Sequence, residues 1–516
     1  MQLPPPNSLW IDTAPAPDRR VTDVPPQAEV VVVGGGIVGL TTAYRLAAAG
    51  RDVLLLEAAT LASGVSGNTT AKVSAQHDMK YDLLTRRKGA AAARTYASTQ
   101  TAAIEWIAER QETLGISCDF QRRAAFLYST EKSMQDKLRR EADAASQAGL
   151  AASFETEIAG LPMQITGAVR FGDQAQFHPR RWLLGLADQI ESLGGRVAEG
   201  VRVTGLSTRG SLSVDTTLGE VAAEHVIVAT HYPIFDRGGF FARLEPVRDL
   251  AVSGPIDPTT VPTDMCLNVD DHHSFRTAPH TASGETHLVV IGEPYRTGQR
   301  TDVVAKHQAL AKWCHSELGL QTVTHSWSAH DLSTPDQVPY IGRYHPKAHN
   351  VWVATGFGQW GMSGGTVAAM LLSDIITDQA DPAVVELYDP NRGHLASAPK
   401  ILKDNAVVAK HFGADHARSL ADSTDLAHLP AGDAAVTRVG AALVAAYREP
   451  GGQLHTVSAH CTHLGCVVNF NNDERTWDCP CHASRFGVDG EVVQGPAVKP
   501  LSAVSVPGRP RADDNR

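Results

Sequence analysis

The chain has little cysteine, no long apolar run and no block of positive charge, and each shortage excludes a class of protein. No stretch approaches the roughly 18 apolar residues that a membrane span requires, so a transmembrane segment is not expected. The 46 Lys and Arg residues stand against 56 Asp and Glu, a net charge of -10. The basic residues form no stripe that would attract phosphates, so nucleic acid is not an expected partner. The opening MQLPPPNSLWIDTAPAPDRRVTDVPPQ has no charged start leading into an apolar run, which argues against export and for a cytoplasmic setting. Structural disulfides are uncommon there. Only seven cysteines occur in 516 residues. Cys118, Cys266 and Cys314 stand alone and read as small buried hydrophobes. The other four share one window, 461–482, with two histidines, and that crowding reads as a metal site rather than a covalent staple. At 43% hydrophobic and 20% charged residues the composition is that of a globular protein of two to four domains.

What is present begins at EVVVVGGGIVGLTTAYRLAAAGRDVLLLEA. It reads as a buried strand (Val30 to Val33), a glycine turn, a helix ending at Gly50 and a second strand (Val53 to Leu56). Gly34, Gly36 and Gly39 fit G-x-G-x-x-G. The first makes the turn, the second lets backbone approach a pyrophosphate, and the third lets helix and strand pack closely. Glu57, at the end of the second strand, is placed to bond a ribose diol. Four further segments bear on the ligand, the first of them suited to close backbone approach to a flat one. GVSGNTTAKVSAQHD is small, polar and without period. GGRVAEGVRVTGL and EHVIVATHYP read as a short strand pair and a buried strand. NVWVATGFGQWGMSGGTVAAMLLSDII reads as strand, glycine turn and long helix, whose Gly361, Gly364 and Gly365 offer backbone donors to an anionic edge.

In this order these segments resemble the D-amino-acid-oxidase-like family of FAD oxidoreductases, which includes glycine-, sarcosine- and glycerophosphate-oxidising flavoenzymes. The resemblance implies that Gly34, Gly36, Gly39 and Glu57 hold the ADP half of FAD. It places Ser66, Gly67, Asn68, Thr69 and Thr70 beside the pyrophosphate and flavin, Val203 at the adenine, and Gly356 to Gly365 over the isoalloxazine. DQVPYIG, residues 336–342, matches that family's D-x-x-P-x-I-G loop, and its covalent flavin motifs are not recognisable, so non-covalent FAD is expected. The interleaved stretches, about 81–175 and 241–330, would form a mixed-sheet substrate domain. YDLLTRRKGAAAARTYASTQTAAIEWIAERQ carries long helix, and TEKSMQDKLRREADAASQAG reads as a helix capped by Thr130 with Gly149 after it. Candidates for substrate contact are Lys72, Gln76, His77, Arg276, Tyr295, Gln359 and Trp360. An Arg could clamp a carboxylate, and Lys or His could move a proton. Each has a plain alternative as a packed or hydrogen-bonded structural residue. His272, His273 and His280 lack regular ligand spacing and read as a solvated turn.

Beyond about residue 381 the pattern changes. The stretch 381–432 reads as a linker with one helix, Lys400 to Phe412. From Asp433 to about 510, short β-like runs (AAVTRVGAALVAAYRE, LHTVSA, CVVNF, RTWDC, EVVQG, LSAVSV) alternate with turns. Cys461-x-His463 and Cys479-x-x-His482 each offer one thiolate and one imidazole, which together suit a [2Fe-2S] cluster with two cysteines on one iron and two histidines on the other. A structural zinc site is the alternative, but zinc modules favour C-x-x-C pairs and C-x-H is unusual for them. CTHLGC followed by CPCH resembles the Rieske iron–sulfur domains of quinol-oxidising complexes. That resemblance implies a disulfide between Cys466 and Cys481 and a covering loop at Gly495 to Ala497. Ala483 departs from it, since Gly is usual there.

Together these readings imply an α/β (α+β) chain. A lead (1–27) precedes a Rossmann-like FAD-binding domain in three pieces (about 28–80, 176–240 and 331–380), interleaved with the mixed-sheet domain and followed by a small all-β Rieske domain (433–510). The expected activity is oxidation of a C–N bond in a small amine or amino acid by hydride transfer to FAD. The cluster, of high potential at roughly -150 to +300 mV, would pass electrons to an unknown acceptor. The alternative is an electron-transfer relay or redox sensor without turnover of its own. A Rieske oxygenase is disfavoured because no mononuclear iron site of two His and a carboxylate is recognisable.

Overall fold

A computed structural model describes residues 3–235, 237–281, 283–392 and 425–506. They fall into two compact units. The first takes the chain up to His231, then Arg248–Pro294 and the stretch from Ala305 to Arg392. The second takes Tyr232–Val247, Tyr295–Val304 and the described residues from Asp425 on.

The first unit is built on two sheets. Four consecutive valines, Val30 to Val33, are all buried, as a strand covered on both faces requires. The strand Gln27–Val33 lies at the middle of a sheet ordered Tyr340–Arg343, Val351–Thr355, Gly219–Val228, Gln27–Val33, Val53–Leu56, Arg196–Ala198. Its neighbours run parallel, with Val30 opposite His225 on one side and Val53 on the other. The helices Ile37–Ala48 and Gly361–Ile376 pack closely: a Cβ on Gly365 would stand 2.8 Å from Ile37 Cγ2. The second sheet has nine strands and is mixed, as expected for the substrate domain. Met265–Asn268 pairs parallel with Gln121–Ser129, and Ser274–His280 pairs antiparallel with Glu285–Arg296.

Local readings are corrected in three places. GGRVAEGVRVTGL does not form a strand pair: Arg196–Ala198 extends the parallel sheet beside Val53–Leu56, while Val203–Ser207 pairs with Ser213–Thr216. The open parallel edge of Val53–Leu56 outcompetes the local hairpin. The long helix is two helices, Lys80–Lys88 and Ala90–Thr113, because Gly89 between them adopts φ +87°. Thr130 caps no helix. Its hydroxyl donates to Asp270 at 3.1 Å, and the helix starts later, at Gln135. The N-terminal lead is also structured. Leu9–Asp12 is a helical turn capped by Ser8, whose hydroxyl donates to Gly67 O at 2.6 Å, while Trp10 Nε1 donates to Thr69 O at 2.6 Å. The stretch read as a linker opens on a helix, Pro382–Tyr388, and the helix expected at 400–412 lies outside the described residues.

The second unit contains an antiparallel three-stranded sheet (Ala434–Val439, Ala442–Arg448, Leu454–Ser458) and a four-stranded one (Asn469–Asn471, Thr476–Asp478, Arg485–Phe486, Val492–Gln494). LSAVSV contributes only a bridge, Ala503 to Val457. Phe470 stacks on Tyr447 and meets Trp477 at a tilt of 58°, each pair with ring centroids 5.0 Å apart. Buried Arg485 is neutralised by Glu474 at 2.7 Å and Asp478 at 3.1 Å. An unpaired cation at that depth would cost several kcal/mol, on the order of 3–5.

Candidate functional site

The glycine turn after Val33 is shaped by contacts no other residue could make. Gly34 adopts φ +111°, and a Cβ there would stand 2.5 Å from Ala229 O. A Cβ on Gly39 would stand 1.8 Å from Gly34 O. The N–H of Ile37, at the start of the helix, donates to Ser66 Oγ at 3.0 Å, so the loop 64–70 is tied to the helix terminus. Glu57 accepts from Gly35 N–H at 2.7 Å and Ala59 N–H at 2.8 Å, and burial pushes its carboxyl above the usual range. Asn68 O accepts from Trp327 Nε1 at 2.9 Å, and Thr70 O accepts from Arg276. Val203 opens its strand, buried. Space remains at the two helix starts that face the expected ligand. A Cβ on Gly36 would meet only Ser66 Oγ, and one on Gly361 would meet nothing within 4 Å. Two helix N-termini with open, glycine-lined approaches fit an anionic dinucleotide.

The candidates for substrate contact divide. His77 is fully buried, with Nε2 2.6 Å from Ser74 O and 3.1 Å from Ser363 Oγ. A carbonyl can only accept, so Nε2 carries the proton and Nδ1 accepts from Tyr96 Oη at 2.7 Å. Burial, then Lys80, holds its pKa well below the usual value, and its ring stacks on Trp360 at 4.7 Å. His77 is a neutral strut between the 74–78 loop and the helix Gly361–Ile376. Arg276 donates from each of its three guanidinium nitrogens to a backbone carbonyl, those of Thr70, Thr277 and Phe177, and lies 4.8 Å over the Trp10 ring. Burial pushes it down to about 9. Its hydrogen bonds make it a clamp on the flavin loop rather than an open fork for a carboxylate. Lys72 donates to Cys266 O at 2.7 Å and to Ser274 Oγ, and burial lowers it to about 7. Gln76 is buried with Nε2 unpartnered. Tyr295 belongs to the second unit, where its hydroxyl lies 3.3 Å from Asn471 Nδ2. Of the histidine group, His273 departs from the expected solvated turn: it is buried and stacks on Trp313 at 4.0 Å.

Two acids absent from the sequence reading lie beside the turn before the helix Gly361–Ile376. Gln359, at φ +73°, donates from Nε2 to Asp249 Oδ2 at 2.8 Å, and its backbone N–H bonds Asp331. Burial pushes Asp249 up to about 6. Burial, together with the charge of Asp249, pushes Asp331 up to about 7. The available signal was Asp249 itself, a charge inside the apolar strand PVRDLAVSG.

In the second unit Cys466 and Cys481 form a disulfide, as the resemblance implied. The Sγ atoms of Cys466, Cys479 and Cys481 lie within 4.8 Å of one another, but the bridge removes two of them as ligands. The free buried thiols are Cys461 and Cys479. Their mutual hydrogen bond pulls Cys461 down to about 6 and pushes Cys479 well up. The rings of His463 and His482 meet edge to face with centroids 5.0 Å apart. Two thiols and two imidazoles converging beside a locked loop pair are the donor set of a two-cysteine, two-histidine [2Fe-2S] centre. Ser484, buried beneath Cys461, accepts from Ala497 N–H at 3.0 Å, which ties the Gly495–Ala497 loop to the site.

Fold and sites together define a flavoprotein that carries its own Rieske iron–sulfur module. Residues 29–375 match the FAD dependent oxidoreductase family model and residues 420–505 the Rieske [2Fe-2S] domain. The chain belongs to the FAD-dependent oxidoreductase family; it binds FAD in that region and a [2Fe-2S] cluster in the C-terminal domain. It is 33% identical over 508 residues, 97% of this chain and 98% of the other, to YhfW of Bacillus subtilis (strain 168), a protein named for a Rieske 2Fe-2S iron-sulfur centre. It is 25% identical to the gamma-glutamylputrescine oxidoreductase of Escherichia coli (strain K12), across 68% of this chain and 84% of that one. The glycine oxidase of Geobacillus kaustophilus superposes with a TM-score of 0.61 at 19% identity, over 72% of this chain and 100% of that chain. Among the described residues no helix is long and apolar enough to cross a membrane.

Proposed function

We propose that this oxidoreductase oxidises a C–N bond of a small amine or amino acid and passes the electrons through its iron–sulfur centre to an acceptor outside the chain, in the cytoplasm. Bound FAD, held non-covalently, supplies a two-electron hydride acceptor, and the cluster a one-electron carrier. The single observation that carries the substrate class is the buried pair Asp249 and Asp331 at the Gln359 turn. Carboxylates attract an ammonium group, and an amine must be uncharged at nitrogen before its C–H bond can yield hydride. A carboxylate poised near neutrality suits that proton. The names of the gamma-glutamylputrescine oxidoreductase and glycine oxidase relatives point the same way.

In this reading Gly34, Gly36, Gly39, Glu57, Ser66, Gly67, Asn68, Thr69, Thr70, Val203, Gly356, Gly361, Gly364 and Gly365 form the FAD cradle. His77, Lys72 and Arg276 hold its loops in place, and Trp360 and Gln359 line the substrate side. Cys461, His463, Cys479 and His482 hold the cluster, within an oxidoreductase portion of about 28–380 and a module of 433–510. The test is turnover of an amine and amino-acid panel with an artificial electron acceptor. Asp249→Asn should raise KM for the accepted amine at least tenfold, with flavin content unchanged. An Asp249→Asn enzyme with unchanged KM and kcat would remove the acids from the reading.

A further inference from the structure

The second unit is not the C-terminal module alone. Two segments from the middle of the chain, Tyr232–Val247 and Tyr295–Val304, belong to it, and the contacts they make are specific. Three asparagines beside the four-stranded sheet each reach a different part of Tyr295–Val304. Asn469 donates to Gly298 O at 2.8 Å and accepts from Arg300 Nε at 2.9 Å, so both ends of a buried amide are satisfied by that segment. Asn471 lies 3.3 Å from Tyr295 Oη. Asn472 accepts from Val303 N–H at 3.0 Å and donates to Asp302 at 2.9 Å.

The same segments reach the ligand loop. Gly298 adopts φ +72°, and a Cβ there would stand 2.4 Å from Pro480 N and 2.6 Å from the Cys479 carbonyl carbon. Its backbone therefore lies directly on the peptide between Cys479 and Pro480. From the other segment, the Phe241 ring meets the His482 ring edge to face at 5.6 Å, and His482 is 4% exposed. His463, by contrast, is partly exposed, next to Leu464 at 48%.

We infer that Tyr232–Val247 and Tyr295–Val304 are the docking surface for the cluster loops, with Gly298 and Phe241 as positioning residues that close the His482 side of the centre. An outside redox partner then has to use another side. The inference rests on the reading that Cys461, His463, Cys479 and His482 hold the cluster. Aromatic cover and backbone contact next to a metal ligand control its solvent access and dielectric, and hence the potential of the centre.

The experiment uses the full chain loaded with both cofactors and compares Gly298→Ala, Phe241→Ala and Gly319→Ala. Gly319 is the control, since it shares φ +72° but a Cβ there meets nothing within 4 Å. Iron and acid-labile sulfide per chain, the electron paramagnetic resonance spectrum of the reduced cluster and its midpoint potential are read beside flavin content. Gly298→Ala should lose at least half of the cluster while flavin stays. Phe241→Ala should keep iron and flavin but move the midpoint potential and the spectrum, and Gly319→Ala should match the parent chain. Gly298→Ala and Phe241→Ala both indistinguishable from Gly319→Ala would overturn the docking surface while leaving the cluster reading intact. A parent chain without a Rieske-type spectrum would overturn both.

Discussion

Ala483, the departure from the Rieske pattern, adopts φ +62° and is fully buried, its N–H donating to Cys479 O at 3.0 Å. A side chain in left-handed backbone costs about 1–2 kcal/mol. Against that, alanine restricts the unfolded chain relative to glycine, worth about 0.4–1 kcal/mol, and buries a methyl worth about 0.8 kcal/mol. The terms nearly cancel, which is why Ala is tolerated. Ala483→Gly should leave cluster content unchanged and move stability by less than about 1 kcal/mol, read by thermal loss of the cluster absorbance. At Asp249 and Asp331 the burial that raises both pKa values sets a pH dependence. Below about pH 6 both acids are protonated and hold an ammonium weakly; as pH rises through about 6 to 7 they ionise. The acid limb of kcat/KM should fall in that interval, and Asp331→Asn should change its position or steepness. For folding the sign is opposite: the contribution of these acids is full below their unfolded value near pH 4 and is lost as pH rises through about 6 to 7. Such roles were only partly legible in the sequence. His77 and Lys72 stand out as polar residues in a glycine-rich stretch and Arg276 as a charge in a strand-like one, but Arg276 finds its acceptor 206 residues away. Nothing local marks that pairing.

Among elements, those with strong local signals were read directly. The four-valine strand, its helix and the strand Val53–Leu56 appear where the apolar runs placed them. Where local signals compete with a sheet edge or a distant acid, as at Arg196–Ala198 and Thr130, tertiary partners decide. The helical turn Leu9–Asp12 was hidden in a proline-rich lead, although Trp10 in that polar setting was a hint. Gly39→Ala should abolish FAD binding, because its Cβ would fall 1.8 Å from Gly34 O at the crossing of strand and helix. The check is flavin absorbance per chain, with cluster content unchanged. In the DQVPYIG loop, Arg392 bonds Asp336 through two nitrogens at 2.8 Å each and Lys88 adds a third contact at 3.0 Å. Against the upward push of burial, these cations hold the carboxyl far below its usual range. Asp336→Asn breaks a largely buried pair and should cost about 3 kcal/mol, seen as a lower midpoint for thermal flavin release. The stability Asp336 supplies is present above its unfolded value near pH 4 and lost as pH falls through its lowered one.

At the scale of the molecule, the sequence places two redox modules on one chain, and the structure adds that Tyr232–Val247 and Tyr295–Val304 group with the C-terminal one. That grouping is invisible to a reading by segments, since the asparagines that make it are about 170 residues from their partners. The central claim is that an amine reduces the flavin and that the cluster is reduced after it. Rapid anaerobic mixing of the fully loaded chain with an accepted amine, followed at flavin and cluster wavelengths together, tests it most directly. The account predicts flavin bleaching first and cluster bleaching after it, at a rate independent of protein concentration. Cluster bleaching without prior flavin bleaching would contradict it.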